Sequence, residues 1–230
     1  MSQKHNAVII AAGEIGNVKY ICHESDLVIA ADKGYLSAQA IGVVCDRVIG
    51  DFDSLGSVPE HDALTVLPVE KDDTDTAYAV KCALEAGAQK IFILGGLGGR
   101  LDHTLANIQM LTYIARAGSV GYLVNGTEAL TVIKNREVRL HGRMGQTLSV
   151  FSLSDKSAGV CEAGLKYTLE NAELEAGFPL GVSNEFADTE AVISVADGEL
   201  LIFSRGDMSS FVENNRAEEN GVYQKLNIYF

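Results

Sequence analysis

The sequence predicts two halves of different class: an α/β half built on a parallel sheet, then an all-β half. Three observations predict this. Up to about residue 125, short wholly apolar runs alternate with segments of helical spacing, the pattern of strands buried on both faces by crossover helices. From Asn125-Gly126 onward the apolar stretches are closely spaced and strand-like, with few helical periods. The 230 residues are 47% hydrophobic and 21% charged, an ordinary globular balance with material for more than one core.

In the first half, the runs at 6–12 (NAVIIAA) and 26–31 (DLVIAA) read as buried strands, the first ended by Gly13 and the second meeting Asp32-Lys33-Gly34. A short helix is expected at 35–41, stopped by Gly42. Strands follow at 47–49 and at 64–67, the latter stopped by Pro68. A helix begins at Asp75, with Ala77, Val80 and Leu84 on one face, and ends at Gly87. KIFIL (90–94) is a strand that breaks into glycines. The segment 102–117 is a helix with Leu105, Ile108, Leu111 and Ala115 expected on its buried face, and 120–124 is a last strand of this kind. Together these make a Rossmann-like parallel α/β/α domain over 1–125.

The second half, 126–230, offers strands at 129–133, 137–140, 147–153, 158–161, 191–195 and 199–203. Asp197-Gly198 is a hairpin turn signal between the last two. This is an antiparallel β sandwich or barrel. The tail 214–224 is polar and expected to be loosely held.

The formal net charge of −13 argues against a nucleic-acid surface and an anionic membrane face. It also means that a polyphosphate can be held only where a metal or local cations reverse the sign. No apolar run reaches the length of a membrane span, and no signal-peptide core precedes the first strand. Cys22, Cys45, Cys82 and Cys161 are widely spaced, without a CxxC pair. They read as reduced thiols of a cytoplasmic protein.

Three loops carry candidate chemistry. Gly50-Asp51-Phe52-Asp53-Ser54 follows a strand. In an extended segment Asp51 and Asp53 point the same way, and two like charges so placed call for a cation between them. The functional reading is a Mg²⁺ site; the structural one is an Asp-rich turn with Ser54 as a cap. Lys71-Asp72-Asp73-Thr74-Asp75-Thr76 lies between a strand and a helix, with Asp73 or Thr74 as N-cap. Helix capping does not explain Lys71 just before the acids. Gly95-Gly96-Leu97-Gly98-Gly99-Arg100-Leu101-Asp102-His103 lets backbone N–H groups approach phosphate, with Arg100 as a bidentate donor and Asp102 as a cap or metal ligand. It is neither a Walker A loop nor a GxGxxG fingerprint. Each loop follows a strand of the parallel half, so all gather at one sheet edge. With Asp32, Lys33 and Gly34 they form an acidic, glycine-lined crevice suited to Mg²⁺ and ATP.

With these motifs in hand, the chain resembles the thiamine pyrophosphokinase family of bacterial type. The matching motifs are ADKG (31–34), GDFDS (50–54), KDDTD (71–75), GGLGGRLDH (95–103) and SNEF (183–186), in family order over nearly the whole chain. The resemblance implies an ATP-binding α/β domain, then a thiamine-binding β sandwich, in a homodimer with the active site at or near the subunit interface. It implies transfer of the pyrophosphoryl group of Mg-ATP to the thiamine hydroxyl, giving thiamine diphosphate and AMP. It casts Asp51, Asp53, Asp75 and Asp102 as the catalytic, metal-binding carboxylates. Asp32, Lys33, Gly34, Lys71, Asp72, Thr74, Gly98 and Arg100 fall on the ATP side, and Ser183 and Asn184 on the thiamine side. The chain departs from many relatives in having Cys45 before Asp46 where they have proline, and in lacking tryptophan. An aromatic wall for thiamine must then come from Phe or Tyr, with Phe186 and Phe178 as candidates. Two other functions fit the loops: a pyrophosphokinase for another heterocyclic alcohol, and a non-catalytic nucleotide-sensing module.

Overall fold

A computed structural model of the chain describes residues 6–16, 26–70, 72–206 and 226–229. The chain divides into two compact units, Met1–Gly126 and Thr127–Phe230. Lys71 and the polar tail 214–224 lie outside the described residues.

The first unit runs β1 (Asn6–Ile10), β2 (Leu27–Ala31), α1 (Gly34–Ala40), β3 (Arg47–Gly50), a 3-10 turn (Asp53–Leu55), β4 (Leu64–Val66), α2 (Asp75–Glu85), β5 (Lys90–Leu94), α3 (Leu101–Arg116) and β6 (Val120–Val124). The strands pair in parallel in the order β6-β5-β1-β2-β3-β4. Apolar runs without alternation are explained by burial on both faces: Val8, Ile9, Ile29, Ile49, Ile91, Phe92, Ile93 and Leu123 are fully buried. Right-handed crossovers put α1 on one face and α2 and α3 on the other, and α2 and α3 touch. The strand order reverses between β1 and β5, where an open α/β sheet leaves its ligand crevice.

The helices obey local rules with one correction. Thr74 is the N-cap of α2, its Oγ1 accepting from the Ala77 N–H at 3.1 Å, a contact that stabilises by about 1 kcal/mol. In α3 the buried positions are Asn107, Leu111 and Ile114, while Leu105 is exposed. Of the expected face, Leu111 is buried and Ile108 and Ala115 are half-buried, so only Leu105 falls outside it; Asn107 joins the buried positions for its hydrogen bond rather than its hydropathy.

The second unit comprises β7 (Glu128–Lys134), β8 (Glu137–His141), β9 (Thr147–Ser152), β10 (Lys156–Ala163), β11 (Leu169–Glu175), β12 (Gly181–Glu185), β13 (Glu190–Ser194), β14 (Glu199–Arg205) and β15 (Leu226–Tyr229). One antiparallel sheet runs β7-β14-β9-β12. The other runs β11-β10-β13-β8, with β15 added in parallel beside β8. The sheets are joined through Ser152 and Ser157, whose hydroxyls lie 2.8 Å apart, and by Ser157 donating to the Glu199 carbonyl at 3.2 Å. The core includes Val138, Leu140, Leu148, Val150, Val160, Ile193, Leu200 and Ile202. Strands β11, β12 and β15 were not expected. LENAELE favours a helix by composition, and GVSNE contains glycine, serine and asparagine, which strands disfavour. Pairing with β10 and β9 overrides both preferences. Among the described residues no helix is long and apolar enough to cross a membrane.

Candidate active site

The sheet edge at the ends of β2 and β3 gathers three carboxylates. Asp32, Asp51 and Asp53 each offer an oxygen, and these oxygens all lie within 4.8 Å of one another. The backbone explains how. Asp32 leaves β2 with φ 48°, its N–H donating to the Ile49 carbonyl at 2.8 Å. Gly50 ends β3 against it: a Cβ there would sit 3.1 Å from the Asp32 Cα, so only glycine permits this approach without a shift.

Asp51 and Asp53 do not converge by strand alternation, as expected from the sequence. Phe52 between them is left-handed, with φ 57° and ψ 16°. The chain doubles back and the Asp53 N–H reaches the Asp51 Oδ1 at 3.3 Å. Left-handed backbone costs a non-glycine residue about 1 kcal/mol or more. The Phe52 ring is only 2% exposed, and burying it recovers about 2 kcal/mol. A core contact thus holds the turn that aims the carboxylates.

Three hard oxygen donors on adjacent loops suit Mg²⁺, which takes one or two carboxylates and leaves positions for water and phosphate. Asp32, expected on the ATP side, joins this group. Asp75 and Asp102, expected as metal ligands, do not. Asp75 is half-buried in the first turn of α2. Asp102 is gripped by Arg100, Nε to Oδ1 at 3.1 Å and Nη2 to Oδ2 at 2.6 Å, and also accepts from the His103 N–H at 3.0 Å. The Arg100 hydrogen bond holds the Asp102 carboxyl below its usual range.

The glycine loop after β5 has a built framework. Gly98 and Gly99 are left-handed, with φ 80° and 66°, and a Cβ at either would meet nothing, so glycine serves backbone conformation there. The buried Asn107 donates from Nδ2 to the Gly96 carbonyl at 2.9 Å and anchors the loop to α3. Sequence reasoning missed Asn107; an asparagine one turn before Leu111 was the available signal. Lys33, Asp72 and Arg100 are exposed, and Gly34 is buried as the first residue of α1, packed against the Ile10 carbonyl. Thr74 uses its oxygen as the cap acceptor, leaving its O–H to donate. Asp73 is taken by Lys81, with Nζ at 2.6 Å.

In the second unit, the outer face of β7-β14-β9-β12 carries an open groove of about 500 Å³, lined among others by Ser149, Phe151, Val182, Ser183, Leu201 and Phe203. Ser183 lies at its rim with φ 59°, its N–H donating to the Ser149 Oγ at 3.0 Å. Asn184 does not face the groove. Its side chain is 4% exposed: Oδ1 accepts from the Tyr167 and Glu185 N–H groups, each at 3.0 Å, and Nδ2 donates to the Tyr167 carbonyl at 2.6 Å. Successive residues of a strand face opposite ways, so the serine and asparagine of one motif take different tasks. Phe186 is a core residue at 1% exposure, and Phe178 lies over a separate depression of about 110 Å³. The aromatic residues of the larger groove are Phe151 and Phe203.

Comparison with known proteins agrees with this layout. Residues 18–120 match the family model for the thiamin pyrophosphokinase catalytic domain, and residues 131–200 the one for the thiamin pyrophosphokinase vitamin B1 binding domain. The thiamine pyrophosphokinase of Bacillus subtilis is 29% identical over 191 residues, covering 80% of this chain and 89% of the relative. Thiamin pyrophosphokinase 1 of Caenorhabditis elegans is 26% identical over 167 residues, 68% of each chain. The crystal structure of the Geobacillus thermodenitrificans thiamin pyrophosphokinase superposes with a TM-score of 0.77 at 27% identity, over 89% of this chain and 99% of that one. Two family domains matched in order, on a carboxylate-lined sheet edge and a grooved β sandwich, place the chain in the thiamin pyrophosphokinase family.

Proposed function

We propose that the chain transfers the pyrophosphoryl group of Mg-ATP to the hydroxyl of thiamine, releasing AMP. The observation that carries this reading is the convergence of Asp32, Asp51 and Asp53 at one sheet edge. An acidic cluster of this kind repels a bare polyphosphate and accepts one that arrives with a divalent cation. Bound there, Mg²⁺ would neutralise phosphate charge and favour departure of AMP.

The chain's own groups supply position. Backbone N–H groups of the Gly98-Gly99 loop and the start of α3 favour phosphate oxygens, and Arg100 is the exposed guanidinium beside them. The Thr74 hydroxyl is left to donate to an ATP oxygen. The thiamine oxygen attacks the β-phosphorus, the bond from that phosphorus to the oxygen shared with the α-phosphate breaks, and the hydroxyl proton passes to a carboxylate. We place thiamine in the groove of the second unit, its rings against Phe203 and Phe151 and its polar edge on Ser183. We further propose a homodimer with the active site at or near the subunit interface, and a cytoplasmic setting consistent with free Cys45, Cys82 and Cys161.

Incubation with ATP, Mg²⁺ and thiamine should give AMP and thiamine diphosphate in equal amounts. ATP binding without turnover on any heterocyclic alcohol would leave a sensing module, and turnover on another alcohol alone would reassign the acceptor. Mixing an Asp53→Asn chain with a Ser183→Trp chain tests the shared site. Random pairing into twofold dimers should restore roughly a quarter of wild-type activity, whereas sites contained within one chain restore none.

A further inference from the structure

Buried hydroxyls of the β unit such as Ser152 and Ser157 are hydrogen-bonded to their neighbours. Glu162 on β10 is different. It is 1% exposed. Its Oε2 accepts from the Asn184 Nδ2 at 3.3 Å, and its Oε1 has no hydrogen-bond partner among the described residues. The charged groups of the elements around it are engaged elsewhere. Glu173 and Glu175 of β11 pair with Lys156, Glu190 of β13 with Arg139, Glu185 of β12 with Lys166, and Glu199 of β14 with Lys134. Glu170 of β11 is exposed. A carboxylate without a cation and with one bare oxygen is costly in such a place; the protonated acid is not. Burial pushes this carboxyl up to about 7, and the Asn184 hydrogen bond opposes the shift only in part.

What Glu162 touches gives it a task. Asn184 spends its amide on four contacts: two accepted, from the Tyr167 and Glu185 N–H groups, and two donated, to the Tyr167 carbonyl and Glu162. These contacts, the Lys166 N–H to Glu185 carbonyl bond at 2.9 Å and the bridge between Leu165 and Phe186 clamp the segment 165–167 to β12. Ser183, in its left-handed turn at the groove rim, is the residue just before Asn184.

We propose that Glu162 is a positioning residue: its buried, protonated carboxyl locks the Asn184 amide and, through it, sets the Ser183 turn at the rim of the groove. The functional half of this statement rests on the reading that the groove takes thiamine. The sign of the pH dependence follows. The clamped state prefers the acid form, so the clamp is fully formed below the ordinary carboxylate range and loosens as pH rises through about 7. Loosening lowers the binding-competent fraction, and apparent thiamine affinity falls with it.

The test compares wild type, Glu162→Gln and Glu162→Leu. Hydrogen-exchange protection factors of the Tyr167 and Glu185 amides are measured from about pH 5.5 to about pH 8.5, with KM for thiamine and for ATP alongside. In the wild type, protection of both amides should drop across this range. Thiamine KM should rise by roughly tenfold, the factor one hydrogen bond supplies, with ATP KM unmoved. Glu162→Gln keeps the acceptor oxygen but cannot ionise, so both profiles should be flat. Glu162→Leu should show low protection at every pH. A flat wild-type protection profile, or Glu162→Gln retaining the wild-type slope, overturns the proposal. Changing protection with constant thiamine KM overturns the link from the clamp to the groove. Absence of thiamine diphosphate formation at any pH counts against the proposed reaction instead, and the exchange data still decide whether Glu162 locks Asn184.

Discussion

Replacing Asp51 by Asn should make the metal-free protein more stable while disabling it. Asp51 Oδ1 accepts from the Asp53 N–H at 3.3 Å, and the asparagine oxygen can keep that bond, so the turn survives. What is lost is charge. The oxygens of Asp32, Asp51 and Asp53 lie within 4.8 Å of one another. At that distance two unit charges repel by about 0.9 kcal/mol in bulk water and about 3.5 kcal/mol at an effective dielectric near 20. Asp51 is half-buried and Asp53 exposed, so screening draws the value toward the lower figure. Relief of two such repulsions then amounts to about 1–2 kcal/mol, or roughly 3–6 °C in Tm for a chain of this size. The assay is thermal unfolding of both proteins in EDTA and in excess Mg²⁺, at low and high salt. The variant should melt higher in EDTA, the gap should shrink with salt, and Mg²⁺ should raise the wild type far more than the variant. Turnover should fall by about 100-fold or more. An unchanged or lower Tm in EDTA, combined with an undiminished response to Mg²⁺, would refute the carboxylate cluster as a metal site.

Asn107→Leu removes the donor to the Gly96 carbonyl; urea unfolding should show a loss of about 1–3 kcal/mol, and KM for ATP should rise more than KM for thiamine. Phe203→Ala strips an aromatic wall from the groove, so thiamine KM should rise by roughly tenfold or more with ATP KM unchanged; the reverse pattern would remove thiamine from this groove. Arg100→Gln takes away the partner that depresses the Asp102 carboxyl. Its titration, followed by carbon NMR, should move back up toward the ordinary carboxylate value, and acid stability held through this pair in the wild type, lost as pH falls through the depressed value, should disappear.

The α/β half was legible because its strands are buried on both faces and announce themselves as unbroken apolar runs; β5 and β6 fall where KIFIL and VGYLV stand. The carboxylate cluster was legible as loops at one sheet edge, but the way Asp51 and Asp53 converge was not. A buried phenylalanine in a left-handed turn leaves no periodic signal. Strand β12 was illegible because its stability comes from β9 and from the 165–167 segment, not from its own propensities. That hid which of Ser183 and Asn184 faces outward. Only the alternation of an actual strand separates a groove residue from a buried clamp.

The reversal of strand order between β1 and β5 gives the two halves of the proposed nucleotide site unequal histories. The aspartate half hangs on β2 and β3, whose first partners, Ile29 and Arg47, are 47 − 29 = 18 positions apart. The glycine-loop half is brought alongside by β1 and β5, whose first partners, Asn6 and Lys90, are 90 − 6 = 84 positions apart. Closing the longer loop costs about 1.4 kcal/mol more chain entropy. The carboxylate corner proposed to hold Mg²⁺ is therefore a local structure, and the glycine-loop corner proposed to hold phosphate is a product of nearly complete folding. A ligand that needs both corners rewards only the finished chain: Mg-ATP should slow unfolding while leaving the refolding rate almost unchanged, and weakening the β1–β5 pair should impair nucleotide binding before it impairs the metal corner.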